Sequence, residues 1–175
     1  IHTSLHRLCT IHTGPHVVSY STTFCFSTSV VCNSLVFSVK PESKFWKELK
    51  ENCPDIFWTR QENWAMPGVP DVYGIKDGIP FWVELKVIKS NKVNLRPHQI
   101  MWNYKHSLCG GRSFIMAKAP SQGLLHIFPG SLVHSIAGEG AKTEPKWSFE
   151  LARAPWKLVQ EILLHSPLPE PPTIT

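Results

Sequence analysis

The sequence has no CxxC pair and no Cys/His combination at zinc-ligand spacing. Its five cysteines, Cys9, Cys25, Cys32, Cys53 and Cys109, are odd in number and scattered, so neither a zinc module nor a disulfide framework is expected. A reducing, intracellular and cytoplasmic setting is the expectation that goes with such cysteines. Long apolar runs are also missing. Residues 17–39 carry no charge, but Ser, Thr and Asn interrupt every apolar run there, so no membrane span and no membrane partner are expected. No compact apolar stretch follows a basic start, as a signal peptide would require. No internal repeat is visible.

Charge is scarce at the front of the chain. Arg7 is the one formal charge in residues 1–39, a stretch dense in Ser and Thr that also holds three of the cysteines. His2, His6, His12 and His16 cluster there, at a spacing that fits no standard metal site. The chain opens on Ile1 and its first Met is Met66, so residues 1–39 are expected to be a poorly ordered or non-native leader without function.

A length of 175 residues suits one domain with extensions. A net charge of +5 and a pI near 9.0 mildly favour a polyanionic partner. Folded character begins near Lys40. In PESKFWKELKENC (41–53), Phe45, Trp46, Leu49 and Cys53 recur at helical spacing after a proline suited to a helix start. DIFWTRQEN (55–63) reads as a strand, WAMPGVP (64–70) as a loop, and DVYGI with IPFWVELKVI as a hairpin closed by KDG. SNKVNLRP is a polar, basic connection into a second helix, HQIMWNYKHSL, which CGGR ends. SFIMAKA and LLHIF are strands, and GSLVHSIA is a short helix or turn. Residues 140–149 are expected to be loop, PWKLVQEILLHS a third helix, and 167–175 a disordered Pro-rich tail. The whole is a mixed α/β fold, helices around a small sheet.

One strand raises a chemical question. Side chains alternate along a strand, so in FWVELKV the residues Phe81, Val83, Leu85 and Val87 share a core face while Trp82, Glu84 and Lys86 share the other. Asp71 opens the partner strand of the hairpin and can approach Glu84. Two carboxylates brought together repel, and a hard divalent cation relieves the repulsion. A lysine beside them can hold a water or offset charge on a phosphate. Taken alone, Glu84 and Lys86 are expected to be an ion pair on the solvated face of an edge strand, and it is Asp71 at the start of the preceding strand that shifts the balance.

Pro70-Asp71, followed after a hairpin by Glu84-Leu85-Lys86, resembles the PD-(D/E)xK nuclease signature. The helix–strand–strand–strand–helix–strand order over residues 41–118 is similar to the restriction-endonuclease-like core of that superfamily. GVPDVYG, VELK and RPHQ entering a helix resemble the VRR-NUC and Holliday-junction-resolvase-like branch, phage-type endonucleases included. The resemblance implies a nuclease domain over residues 40–166, with residues 119–166 adding a strand and helix. It implies a magnesium-dependent endonuclease, manganese being an alternative ion, that hydrolyses DNA and leaves a 5′-phosphate. The resemblance leaves the DNA substrate open among branched, nicked, flapped and linear forms, structure-selective cutting of branched DNA being one option. Resolvases of this kind usually act as homodimers, although no dimer interface can be read in this sequence. The metal ligands would be Asp71, Glu84 and the Leu85 backbone carbonyl, with Lys86 as catalytic lysine and Gln99 beside them. Glu42, followed by Phe45 and Leu49, matches a Glu of the first helix, with Glu48 and Glu51 as competitors. Where a Tyr is expected four residues after Gln99, this chain has Asn103, and Tyr104 is expected in the helix core. Lys89, Lys92, Arg96 and His98 form a basic rim suited to a DNA backbone. Trp58, Trp64 and Trp102 are candidates for base stacking, with core packing the expectation for each. The rival function is a nucleic-acid-binding module with an inactive site.

Overall fold

The computed structural model describes residues 40–61 and 67–167. All belong to one of the two units into which the chain divides, Ser38–Thr175. The expected leader 1–39 with its histidines, Trp64, and the tail beyond Pro167 lie outside the described residues.

The chain forms helix α1 (Pro41–Asn52), strands β1 (Phe57–Arg60), β2 (Val72–Lys76) and β3 (Ile79–Val87), helix α2 (Pro97–Leu108), strands β4 (Ser113–Ala119) and β5 (Leu124–Pro129), helix α3 (Val133–Glu139), strand β6 (Trp147–Glu150) and helix α4 (Trp156–His165). The fold is mixed α/β, with one six-stranded sheet in the order β1-β2-β3-β4-β5-β6. Neighbouring strands are antiparallel except β3 and β4, which α2 joins as a parallel pair. A parallel pair needs such a crossover, and the crossover covers a sheet face.

Local chemistry explains the hairpin. Asp77 and Gly78 both have left-handed backbone angles, φ 51° and 76°, as a tight two-residue turn requires. That turn sets Val72 opposite Val83 and Tyr73 opposite Trp82. Gly74 faces Phe81, and a side chain there would collide with the rings of Phe81 and Trp58.

Both faces of the sheet are buried. On one, Phe81, Val83, Leu85, Phe114, Met116, Leu125 and Ile127 pack against Phe45 and Leu49 of α1 and Val159, Ile162 and Leu163 of α4. The helical spacing of Phe45, Leu49 and Cys53 thus covers the face foreseen for it. On the other, Ile115, Ala117, Ala119 and Phe128 meet Val133 and Ile136 of α3 and Ile100 and Tyr104 of α2. Each large apolar side chain removed from water contributes roughly 1.5–3 kcal/mol. Val87 is half-buried rather than a full member of the core. Trp58 is a packing residue: its ring meets Trp46 and Phe81 edge-on, and its Nε1 donates to the Cys53 carbonyl at 2.9 Å.

Residues 140–149 are not a simple loop. Gly140–Lys142 forms a 3-10 turn, and β6 pairs with β5 through Leu125↔Phe149 and Ile127↔Trp147. Trp147 and Phe149 alternate with exposed Ser148 and Glu150, a period too short to stand out among Gly, Glu, Lys and Pro. Among the described residues, no helix is long and apolar enough to cross a membrane.

Arg112, just ahead of β4, ties α4 to the sheet. Its Nε donates to the Leu163 carbonyl at 3.1 Å, and its Nη2 donates to the carbonyls of Ser166 at 3.0 Å and Ile162 at 3.3 Å. These are carbonyls at the C-terminal end of a helix, where a cation is favoured. Arg112→Ala should therefore destabilise the fold by about 2 kcal/mol or more, since several charge-assisted bonds are lost together. Chemical denaturation of the two proteins measures this, and an unchanged midpoint would show that the cap contributes nothing.

Candidate active site

The register of the hairpin extends by one residue to put Asp71 opposite Glu84, just past the last ladder pair, Val72↔Val83. Strand β2 begins at Val72, so β3 runs on beyond its partner from Glu84 onward. The freed edge is taken by a side chain. The Leu85 backbone N–H donates to Asp71 Oδ2 at 3.1 Å. The N–H and carbonyl of one strand residue face the same neighbour, so the Leu85 carbonyl lies along the same open edge as Asp71. The N–H of Trp82 and of Ile88 turn the other way, to Arg112 and Lys118, as the alternation demands.

Glu84 is wholly buried, and the pairing of β3 with β4 sets it beside Ile115, on the face that α2 covers. A surface ion pair is therefore excluded. Glu84 Oε1 receives Lys86 Nζ at 2.8 Å and, very closely, the Gln99 side-chain amide. Gln99 Oε1 accepts from Lys86 Nζ at 3.2 Å and from the Arg96 backbone N–H at 3.0 Å. Both of these partners are donors only, so the orientation of the Gln99 amide is dictated: oxygen toward them, nitrogen toward the carboxylate. Gln99 is thus at once the cap of the first turn of α2 and a bridge between Glu84 and Lys86.

Burial pushes the Glu84 carboxyl up to about 7, and the charge of Asp71 adds to the rise. Lys86 pulls the other way, and its contact with Glu84 does not offset the loss of water. Glu84 Oε2 is buried without a hydrogen-bond partner. A fully buried carboxylate oxygen with nothing to accept from is costly. The donor set formed by that oxygen, Asp71 and the Leu85 carbonyl is all oxygen, which suits magnesium or manganese. The residues present therefore fit the ion that the motif implies.

The remaining candidates divide. Glu42 is half-buried and lines a cleft of about 830 Å³ together with Lys89 and Lys92. It is not brought into the carboxylate pair: among the described residues no three His, Cys, Asp or Glu side chains are grouped so as to hold one ion. Of its competitors, Glu48 pairs closely with Lys118 and Glu51 with Lys47 at 3.8 Å, so both are engaged elsewhere. Arg96 and His98 are exposed at the start of α2 and do not line the cleft.

Two residues escaped the sequence reading as parts of this site. Gly68, at φ 97°, lies so close to the His98 carbonyl that any side chain would collide with it, which fixes the Pro-Gly loop before Asp71 against α2. Asn103 is fully buried one turn beyond Gln99, and its Nδ2 donates to the Gln99 carbonyl at 2.9 Å. A polar residue at i+4 on a packed helix face was the available signal. Trp102 stacks on His106, with ring centroids 4.5 Å apart, and meets Trp82 at 5.4 Å, while Tyr104 packs on His134. These rings serve packing.

A carboxyl whose pKa is higher in the folded state than in the unfolded chain holds its proton better when folded. Through Glu84 the folded state binds more protons between about pH 4.5 and 7, so the contribution of this group to stability falls as pH rises through that window. His106 and His126, whose pKa burial lowers, act in the opposite sense. In a chelator, the melting temperature of the wild type should fall relative to that of Glu84→Gln from pH 5 to pH 7.5, and the variant should be the more stable at pH 7.5, by on the order of 3 kcal/mol. An identical pH profile for wild type and variant would refute the burial argument.

Compared with models of known families and with curated proteins, the chain matches none.

Proposed function

We propose that this chain is a magnesium-dependent endonuclease with a restriction-endonuclease-like core of the PD-(D/E)xK type, acting on DNA. The observation that carries this reading is the buried Glu84 carboxylate. It faces Asp71 across the open end of the hairpin, has one oxygen without a partner, and is joined to Lys86 through Gln99. A protein that used Glu84 and Lys86 only for stability would gain more from apolar residues in the same place.

Asp71, Glu84 and the Leu85 carbonyl would hold the ion. Once bound there, a divalent ion supplies Lewis-acid polarisation of the scissile phosphate and offsets the charge it develops. The chain's own residues do the rest. Lys86 retains one ammonium proton beyond those given to Glu84 and Gln99, and directs it to the attacking water or to a phosphate oxygen. Gln99 holds Lys86 and Glu84 at fixed separation, so neither must reorganise as charge develops. Water adds to phosphorus in line as the bond to the 3′ oxygen breaks. One proton of the attacking water passes to solvent and the leaving 3′ oxygen takes one back from solvent, while the other product carries the 5′-phosphate. Branched DNA and a homodimeric assembly belong to the same reading.

The experiment separates chemistry from metal binding. Lys86→Ala should still bind magnesium by calorimetry but cut DNA slower by on the order of a hundredfold. Asp71→Asn should lose both metal binding and cutting. Cleavage by Lys86→Ala at the wild-type rate, or no magnesium-dependent cleavage of branched, nicked or linear DNA by the wild type, would sink the proposal.

A further inference from the structure

The cleft of about 830 Å³ is lined in part by residues next in the chain to those of the carboxylate site. Val87 follows Lys86 in the chain and Ile100 follows Gln99, and both line it. Its far wall is built by a segment outside the motif-bearing part of the sequence, Ile136–Gly140 with Lys142. Lys89, Lys92 and Lys142 are all exposed at its walls, set against Glu42 and Glu139.

The three lysines stand on one rigid piece. Lys89 and Lys92 close a tight turn, with backbone bonds of 3.4 and 3.0 Å, and Ser90 and Asn91 inside it take left-handed angles of 49° and 60°. That turn is held to the far wall: the Ala141 N–H donates to the Asn91 carbonyl at 2.9 Å. Gly140, at φ 63°, touches the same carbonyl, and any side chain there would collide with it. On the nuclease reading, cations carried by backbone that is tied together and that follows the site in the chain are suited to the next phosphates of the same strand. A cleft of this volume lies within the range of small-ligand sites, enough for a few nucleotides of one strand and too small to enclose a duplex.

We propose that this cleft binds the phosphate backbone of a single DNA strand leading away from the carboxylate site, and that Lys142 is a phosphate-contacting residue on its far wall. The inference rests on the nuclease reading for its direction, but binding tests it without cutting.

The probe is an oligodeoxythymidine, bound without metal to the full chain carrying Asp71→Asn, over a series of salt concentrations. Adding Lys142→Ala should weaken binding on the order of tenfold and lower the salt slope by about 0.7, the value for one phosphate contact on a single strand. Lys142→Arg should restore both, and Glu139→Gln should tighten binding by removing a carboxylate from the cleft. Lys157→Ala, on exposed α4 surface, is the control expected to change nothing. A Lys142→Ala variant that binds like the Lys157→Ala control overturns the inference, and an equal loss on a blunt duplex overturns its single-strand part. If Lys142→Ala weakens binding while the wild-type chain never cuts with magnesium, the cleft stands and the nuclease reading falls.

Discussion

The burial of one carboxylate organises this molecule. Glu84 sits mid-sheet, on a strand flanked by β2 and β4, with α2 over it and no exposure to water. Such a group is tolerated when it is neutral, paired or bound to a cation. The structure supplies part of each remedy. Burial and Asp71 raise its pKa toward neutrality, Lys86 and Gln99 satisfy one oxygen, and the other is left aimed at no protein donor.

Helix α2 is where the fold and the site meet. As the crossover between parallel strands it must lie on the sheet, which brings its first turn over β3. Gln99 caps that turn through the Arg96 N–H and from the same position reaches Glu84 and Lys86. Gly68 presses the loop before Asp71 against His98, and Asn103 anchors the Gln99 carbonyl from the next turn. Moving α2 would therefore disturb Asp71, Glu84 and Lys86 together.

The sheet gives the site its polarity along the chain. The tight hairpin turn lies at one end of β3, and the carboxylate pair lies where β2 has ended but β3 continues. The residues that follow in the chain line the cleft with its lysines, partly walled by α3 and the turn after it. The opposite face is given over to packing by α1 and α4, with Arg112 holding the end of α4. The Glu84–Lys86 pair thus lies on the face that α2 and α3 cover, away from α1 and α4.

Much of this was legible locally. The alternation of FWVELKV separated Phe81, Val83 and Leu85 from Glu84 and Lys86, and the Asp77-Gly78 turn set the register that brings Asp71 opposite Glu84. The spacing of Phe45, Leu49 and Cys53 gave α1 and its buried face. These follow from periods of two and 3.6 residues and from turn stereochemistry, which neighbouring residues encode by themselves. Strand β6 was missed because four alternating residues carry too little periodicity, and its partner β5 supplies what pattern alone could not. The tertiary structure alone decided whether Glu84 is a surface charge or a buried one, which of Glu42, Glu48 and Glu51 is free of a lysine partner, and that Lys142 comes to the same cleft as Lys89. Each of these depends on the parallel pairing of β3 with β4 and on packing between segments far apart in the chain, where no local period reaches.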